Sequence, residues 1–207
     1  MTPVDVVVLL AYASLALELV VFPIPSEAST WQLLANADAA ADPDADGDAL
    51  DRARTRSTGA KLLRFLLPTA LGVALWLLPI PCVLLPEFAD AVGCTRVPVL
   101  QWPGTALVVL GRAITFTSVL QLRAQRRRGD GAPGFWFRRS RNPGLVGMYV
   151  CYLGLCVVFG TPVLWLGLPL YVANMHGRVR IEEAHLAARH GAAWHAYAAR
   201  VPRYLGR

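Results

Sequence analysis

Apolar residues fall along this chain in five long runs separated by polar connections, and the run lengths predict α-helices. Residues 4–24 supply about the ~20 apolar positions that a helix needs to cross a ~30 Å hydrocarbon core. Pro23 and Pro25 end this run. Ser26 or Ser29 then caps a short interfacial helix over residues 30–34, with Trp31 at headgroup level. The second run, residues 62–85, contains Pro68, Pro79 and Pro81, which bend a helix or require neighbours to satisfy the freed carbonyls. The third covers about 99–122. The fourth and fifth, 144–159 and 163 to about 175, meet at Gly160-Thr161-Pro162. With about 13–16 residues each, they reach roughly 20–24 Å, less than the core thickness, so this hairpin is expected to stop short of the far leaflet. Residues 181–199, rich in alanine and interrupted at Gly191, predict a last helix. It either caps a site from the cytoplasm or lies flat in the interface.

The expected fold is therefore all-α: a polytopic membrane bundle of five transmembrane helices with a cytoplasmic C-terminal helix, forming one domain over residues 1–207. Composition agrees, with 55% apolar residues, 16% charged residues and a mean hydropathy of +0.43. The net charge of +6 is almost wholly arginine, since Lys61 is the one lysine. Counted by connection, five basic residues lie before or at the start of the second run, Arg64 in its first turn included, seven lie between the third and fourth, and only Arg96 lies between the second and third. This asymmetry predicts the N-terminus outside and the C-terminus in the cytoplasm. Because the arginines flank spans and form no groove, nucleic acid is not an expected partner. The start has no basic n-region, so no secretory signal peptide is expected.

Residues 36–59 are polar, first acidic and then basic, and read as a loop. Asp42, Asp44, Asp46, Gly47 and Asp48 imitate the opening of a calcium-binding loop, but Ala53 stands where a closing glutamate belongs, so a solvated linker is expected. Four cysteines form no Cys-x-x-Cys pair, and His176, His185, His190 and His195 do not cluster with acids or thiols, so no metal is assigned. Cys151 and Cys156 read as core residues; Cys82 and Cys94 can meet on the outer side, where a disulfide is chemically permitted.

Candidate chemistry lies in the last half. One block is Arg141-Asn142-Pro143-Gly144-Leu145-Val146-Gly147; the other runs from Arg180-Ile181-Glu182-Glu183 through Gly191-Ala192-Ala193-Trp194-His195-Ala196-Tyr197 to Val201-Pro202-Arg203-Tyr204. The hairpin between them returns both to one side of the membrane. Asn142 before Pro143 is a good helix cap, and the free N–H groups of that helix start suit a carboxylate. Glu182 and Glu183, adjacent on a helix, point about 100° apart, so one faces a site while the other faces water or an arginine. Glu18 and Arg112 fall inside the first and third runs at nearly matching depths and are expected to pair, with Arg112 gripping an acidic acceptor as the functional alternative.

In order and spacing the two blocks resemble the isoprenylcysteine carboxyl methyltransferase family, which groups with the phospholipid N-methyltransferases among integral-membrane enzymes. Asn142 stands where many members have histidine, and Leu145 where tyrosine is usual. The resemblance covers roughly residues 104–207 and implies S-adenosylmethionine as cofactor, with a lipophilic acceptor or membrane lipid as partner. It implies donor contacts from Arg141, Asn142, Pro143, Gly147, one of Glu182 and Glu183, and Tyr197, with Val201-Pro202-Arg203 closing the pocket from below. A carboxylate acceptor needs only an orienting arginine, Arg203 or Arg112; an amine or thiol acceptor needs a base, Glu182, Glu183 or a histidine. Carboxyl methylation leads by family name, then amine and thiol methylation; a non-enzymatic scaffold is the alternative of another class.

Overall fold

The computed structural model describes residues 1–21, 67–128 and 134–205, and among them all regular structure is helical. The stop at Pro23 and Pro25, the interfacial helix near Trp31, the loop 36–59 with its calcium-like fragment and the start of the second run lie outside the described residues. The helices are α1 (Pro3–Val21), α2 (Leu67–Leu77), α3 (Pro79–Leu84), α4 (Pro86–Ala91), α5 (Pro98–Arg128), α6 (Pro143–Phe159), α7 (Pro162–His190) and α8 (Ala192–Arg200), with a 3-10 turn at Trp136–Arg138. Helices α1, α3, α4, α5, α6 and α7 each open on a proline, where the ring's fixed φ suits the first turn and the missing N–H costs nothing. At α1 this is reinforced by a reciprocal capping box. The Thr2 N–H donates to Asp5 Oδ2 (2.7 Å), and the Asp5 N–H donates to Thr2 Oγ1 (3.3 Å).

Among the described residues one stretch, Pro98–Gln125 of α5, is long and apolar enough to cross a membrane; Ala70–Leu84 and Pro143–Phe159 are apolar but shorter. Leu10, Leu17, Val20, Val73, Val99, Leu110, Trp165 and Leu166 point outward, leaving apolar flanks on α1, α2, α5 and α7 that suit lipid. The second run does not form one helix. Its described part divides into α2 and α3, because Pro79 starts a new helix, and it ends at Leu85, which is extended at φ −128°, ψ 96° ahead of Pro86, where α4 begins.

Helices α5 and α6 cross antiparallel along a seam of glycines spaced by seven. Gly104 meets Gly154, and Gly111 meets Gly147. A Cβ on Gly154 would stand 2.7 Å from the Gly104 carbonyl oxygen, and one on Gly147 would stand 2.6 Å from that of Gly111. Backbones this close exclude any side chain, and Thr115 fastens the seam by donating to the Gly144 carbonyl (3.2 Å). The turn to α7 is tight: Gly160 takes the left-handed conformation at φ 59°, and Thr161 caps α7 while donating its hydroxyl to the Val92 carbonyl. Tyr152 stacks on Tyr171 across the hairpin, with centroids 5.4 Å apart.

Helix α1 joins α5 through charge. Arg112 Nη2 lies 2.6 Å from Glu18 Oε2, its Nε donates to Ser14 Oγ (3.1 Å), and both charged residues are 6% exposed. Asp5 pairs with Arg96 at 2.6 Å, a second tie between α1 and the entry to α5. The matched depths of Glu18 and Arg112 thus correspond to direct contact. Removing one partner leaves a buried charge, so Glu18→Gln and Arg112→Gln each should lower stability by about 3–5 kcal/mol, whereas joint replacement by Leu and Met should recover most of it. Thermal unfolding in detergent checks this; single variants as stable as the parent would show the pair to be idle.

Candidate functional site

The C-terminal segment is strapped onto the turn ahead of α6. The Arg141 N–H donates to the Pro202 carbonyl (2.9 Å). Ser140 Oγ and Asn142 Nδ2 both donate to the Arg203 carbonyl (3.2 Å each), and the Tyr197 hydroxyl donates to the Phe137 carbonyl (2.8 Å). Residues distant in sequence therefore share one backbone clasp. Burial holds the Tyr197 hydroxyl above its ordinary pKa, with the Arg141 charge pulling the other way, so it remains a donor at neutral pH. Asn142 occupies the cap position of α6, but its side chain is spent on the clasp and makes no cap bond. Among the described residues no side-chain cap bond is made to the first N–H groups of that helix.

Glu183 stands at the centre of the clasp, buried at 8% exposure. Its Oε2 accepts from Arg203 Nη2 (2.7 Å) and Nε (3.0 Å), and its Oε1 lies 3.2 Å from Arg141 Nη1. The hydrogen bond to Glu183 raises the Arg203 pKa, keeping the guanidinium charged. The Arg141 contact is an ion pair without hydrogen-bond geometry. Glu183 Oε1 and Arg141 Nε are consequently buried with no hydrogen-bond partner among the described residues. Such orphans are costly without a ligand or water to meet them.

The glutamates do not begin a helix. Helix α7 runs unbroken from Pro162 to His190, carrying the pair several turns beyond the apolar part. The polar run Met175 to Arg180 marks a change of surroundings rather than a break, since it holds no proline, and its one glycine costs a helix only about 1 kcal/mol. Being adjacent, the two acids diverge: Glu183 turns into the clasp, while Glu182 is exposed and lines a neighbouring cavity.

That cavity has a volume of about 360 Å³. Helix α5 contributes Ser118, Val119 and Leu122; the turn into α6 contributes Phe137, Arg141, Asn142, Pro143, Gly144 and Leu145; α7 contributes Met175, Arg178, Val179 and Glu182. Its size is that of a small-molecule site, apolar walls with a few polar groups. Of the anticipated donor residues, Arg141, Asn142, Pro143 and Glu182 come together here. Gly147 lies instead in the glycine seam, Tyr197 and Arg203 brace the clasp, and Arg112 is held by Glu18 away from the cavity lining. Arg178 and Phe137 were not foreseen; Phe137 supplies an aromatic ring to the cavity in which Leu145 replaces the usual tyrosine.

Residues 99–193 match the family model of the phospholipid methyltransferases. Over these residues the chain resembles that family, which includes the isoprenylcysteine carboxyl methyltransferases. No curated protein and no solved structure matches it. The match indicates a methyltransferase that uses S-adenosylmethionine, and the matched family suggests an acceptor of membrane-lipid type. The matched segment contains α5 from Val99 onward and all of α6 and α7, hence the whole cavity lining, while residues 201–204 of the clasp lie beyond it.

Proposed function

We propose that the cavity between the Arg141–Leu145 turn and α7 holds S-adenosylmethionine and that the acceptor's carboxylate, as in an isoprenylcysteine-like compound, is methylated there. The observation that carries the donor assignment is that both sequence blocks line one cavity, and that Arg141, one of its lining residues, has its Nε buried without a hydrogen-bond partner among the described residues. S-adenosylmethionine supplies an electrophilic methyl group on a sulfonium. Glu182 suits its ammonium, the uncapped N–H groups of α6 and Arg141 suit its carboxylate, and Val119, Leu122, Met175, Val179 and Phe137 form an apolar slot for the base. Glu183 and Arg203, engaged with each other, act as positioning residues that fix Arg141. Arg112, neutralised by Glu18, holds α1 against α5 rather than gripping the acceptor.

The orientation we infer places this end in the cytoplasm, with five spans and the N-terminus outside, which lets the polar donor arrive from water and the acceptor from the bilayer. For a carboxylate acceptor the orienting cation is Arg178, which lines the cavity. Holding acceptor and donor in line supplies much of the rate enhancement. The match to the phospholipid methyltransferases favours a second reading, an amine acceptor deprotonated by Glu182 or His176. Purified protein in nanodiscs, given donor with a labelled methyl, should label a prenylated cysteine carboxylate as a base-labile ester. Base-stable label on phosphatidylethanolamine would select the second reading, and no transfer to either lipid would overturn both.

A further inference from the structure

We infer that Cys82 and Cys94 are a disulfide-forming pair that locks the end of the bundle opposite the cavity. The two sulfurs are 3.5 Å apart as free thiols, with the Cys94 thiol donating to Cys82 Sγ. That contact lies about one bond-forming step from a disulfide, whose sulfurs sit ~2.05 Å apart. The approach is not left to chance, because the segment carrying Cys94 is fastened on both sides. Val92 accepts from the Thr161 hydroxyl, the Thr95 carbonyl packs against Gly160, and Arg96 reaches both Asp5 (2.6 Å) and the Cys82 carbonyl (3.4 Å). The α6–α7 turn, α1 and α3 therefore hold the two cysteines in register.

Position decides the redox setting. Cys94 precedes Pro98, the first residue of α5, whereas the cavity begins at Ser118 of the same helix. Twenty residues of helix separate these levels by roughly 30 Å, a membrane's hydrocarbon thickness. The inference rests on the orientation proposed above, in which this end faces the oxidising compartment. The chemistry is an exchange with a protein-disulfide oxidant: one cysteine thiolate attacks the oxidant's disulfide, and the second displaces the mixed disulfide. The Cys82–Cys94 bond forms, both S–H bonds are lost, and the oxidant leaves as a dithiol carrying two electrons and two protons. Cys151 and Cys156 are free thiols buried in α6 and serve as internal controls.

Full-length protein isolated from membranes with an alkylating agent present, without reductant, should yield a peptide linking residues 82 and 94, with Cys151 and Cys156 in reduced form. Reductant should lower its unfolding midpoint by about 5–10 °C and leave that of Cys94→Ser unmoved. Separately, Arg138→Cys in a background lacking the four native thiols reports orientation, through labelling by an impermeant maleimide. Alkylation of both Cys82 and Cys94 without reduction, while Arg138→Cys is labelled only from the cytoplasmic side, overturns the disulfide and leaves the orientation standing. Labelling of Arg138→Cys from outside overturns the orientation and the disulfide with it.

Discussion

Replacing Glu183 by glutamine is expected to destabilise the protein by about 2–4 kcal/mol and to loosen residues 201–204 from the turn at Arg141. The carboxylate is buried between two guanidiniums, and its loss removes two charge-assisted bonds to Arg203 and the ion pair to Arg141. Arg203 keeps 34% of its side chain exposed, so water recovers part of its charge and the cost falls short of that for a fully buried pair. Arg141 is less fortunate at 15% exposure. Denaturant unfolding together with limited proteolysis at the C-terminus measures the effect. A variant as stable and as resistant as the parent would mean that the clasp does not depend on Glu183.

The seam between α5 and α6 should be still less tolerant. Gly147→Leu is expected to cost about 3 kcal/mol or more, because its first side-chain carbon would lie 2.6 Å from the Gly111 carbonyl and 2.8 Å from the Thr115 N–H nitrogen, both backbone atoms. A backbone cannot change rotamer to make room, so the helices must separate. Since α6 begins at the cavity turn, donor affinity should fall with stability. Gly177 provides the contrast: nothing lies within 4 Å of an added Cβ, and Gly177→Ala should gain about 0.5–1 kcal/mol from helix propensity. Equal thermal midpoints for the Gly147→Leu variant and the parent would refute the close crossing.

How much of this was readable beforehand follows from the kind of signal each feature leaves. Apolar run length marked the helices, and the intramembrane charges Glu18 and Arg112 announced their pairing because no alternative partner lay at that depth. The convergence of the Arg141 and Glu182 blocks followed from the hairpin between them. Hydropathy could not show that α7 continues past Met175, since it reports surroundings and not backbone geometry. Asn142 reads locally as a cap, but the Arg203 carbonyl, 61 residues away, claims its amide. The sevenfold spacing of Gly104 with Gly111, and of Gly147 with Gly154, was present in the chain and signals a close antiparallel seam once both helices are considered together. Arg178 was hidden because its helix face is fixed by packing, and the division of labour between Glu182 and Glu183 had to await the position of Arg203.

The central claim is that S-adenosylmethionine is held in the cavity lined by Glu182. Calorimetric titration of the donor into the parent protein, Glu182→Gln and Met175→Trp tests it most directly. A charge-assisted contact to the donor's ammonium contributes about 1.5–3 kcal/mol, so Glu182→Gln should bind roughly ten- to a hundredfold more weakly. Met175→Trp, which fills the cavity, should abolish the heat of binding. The same affinity in all three proteins would contradict the account and place the donor elsewhere.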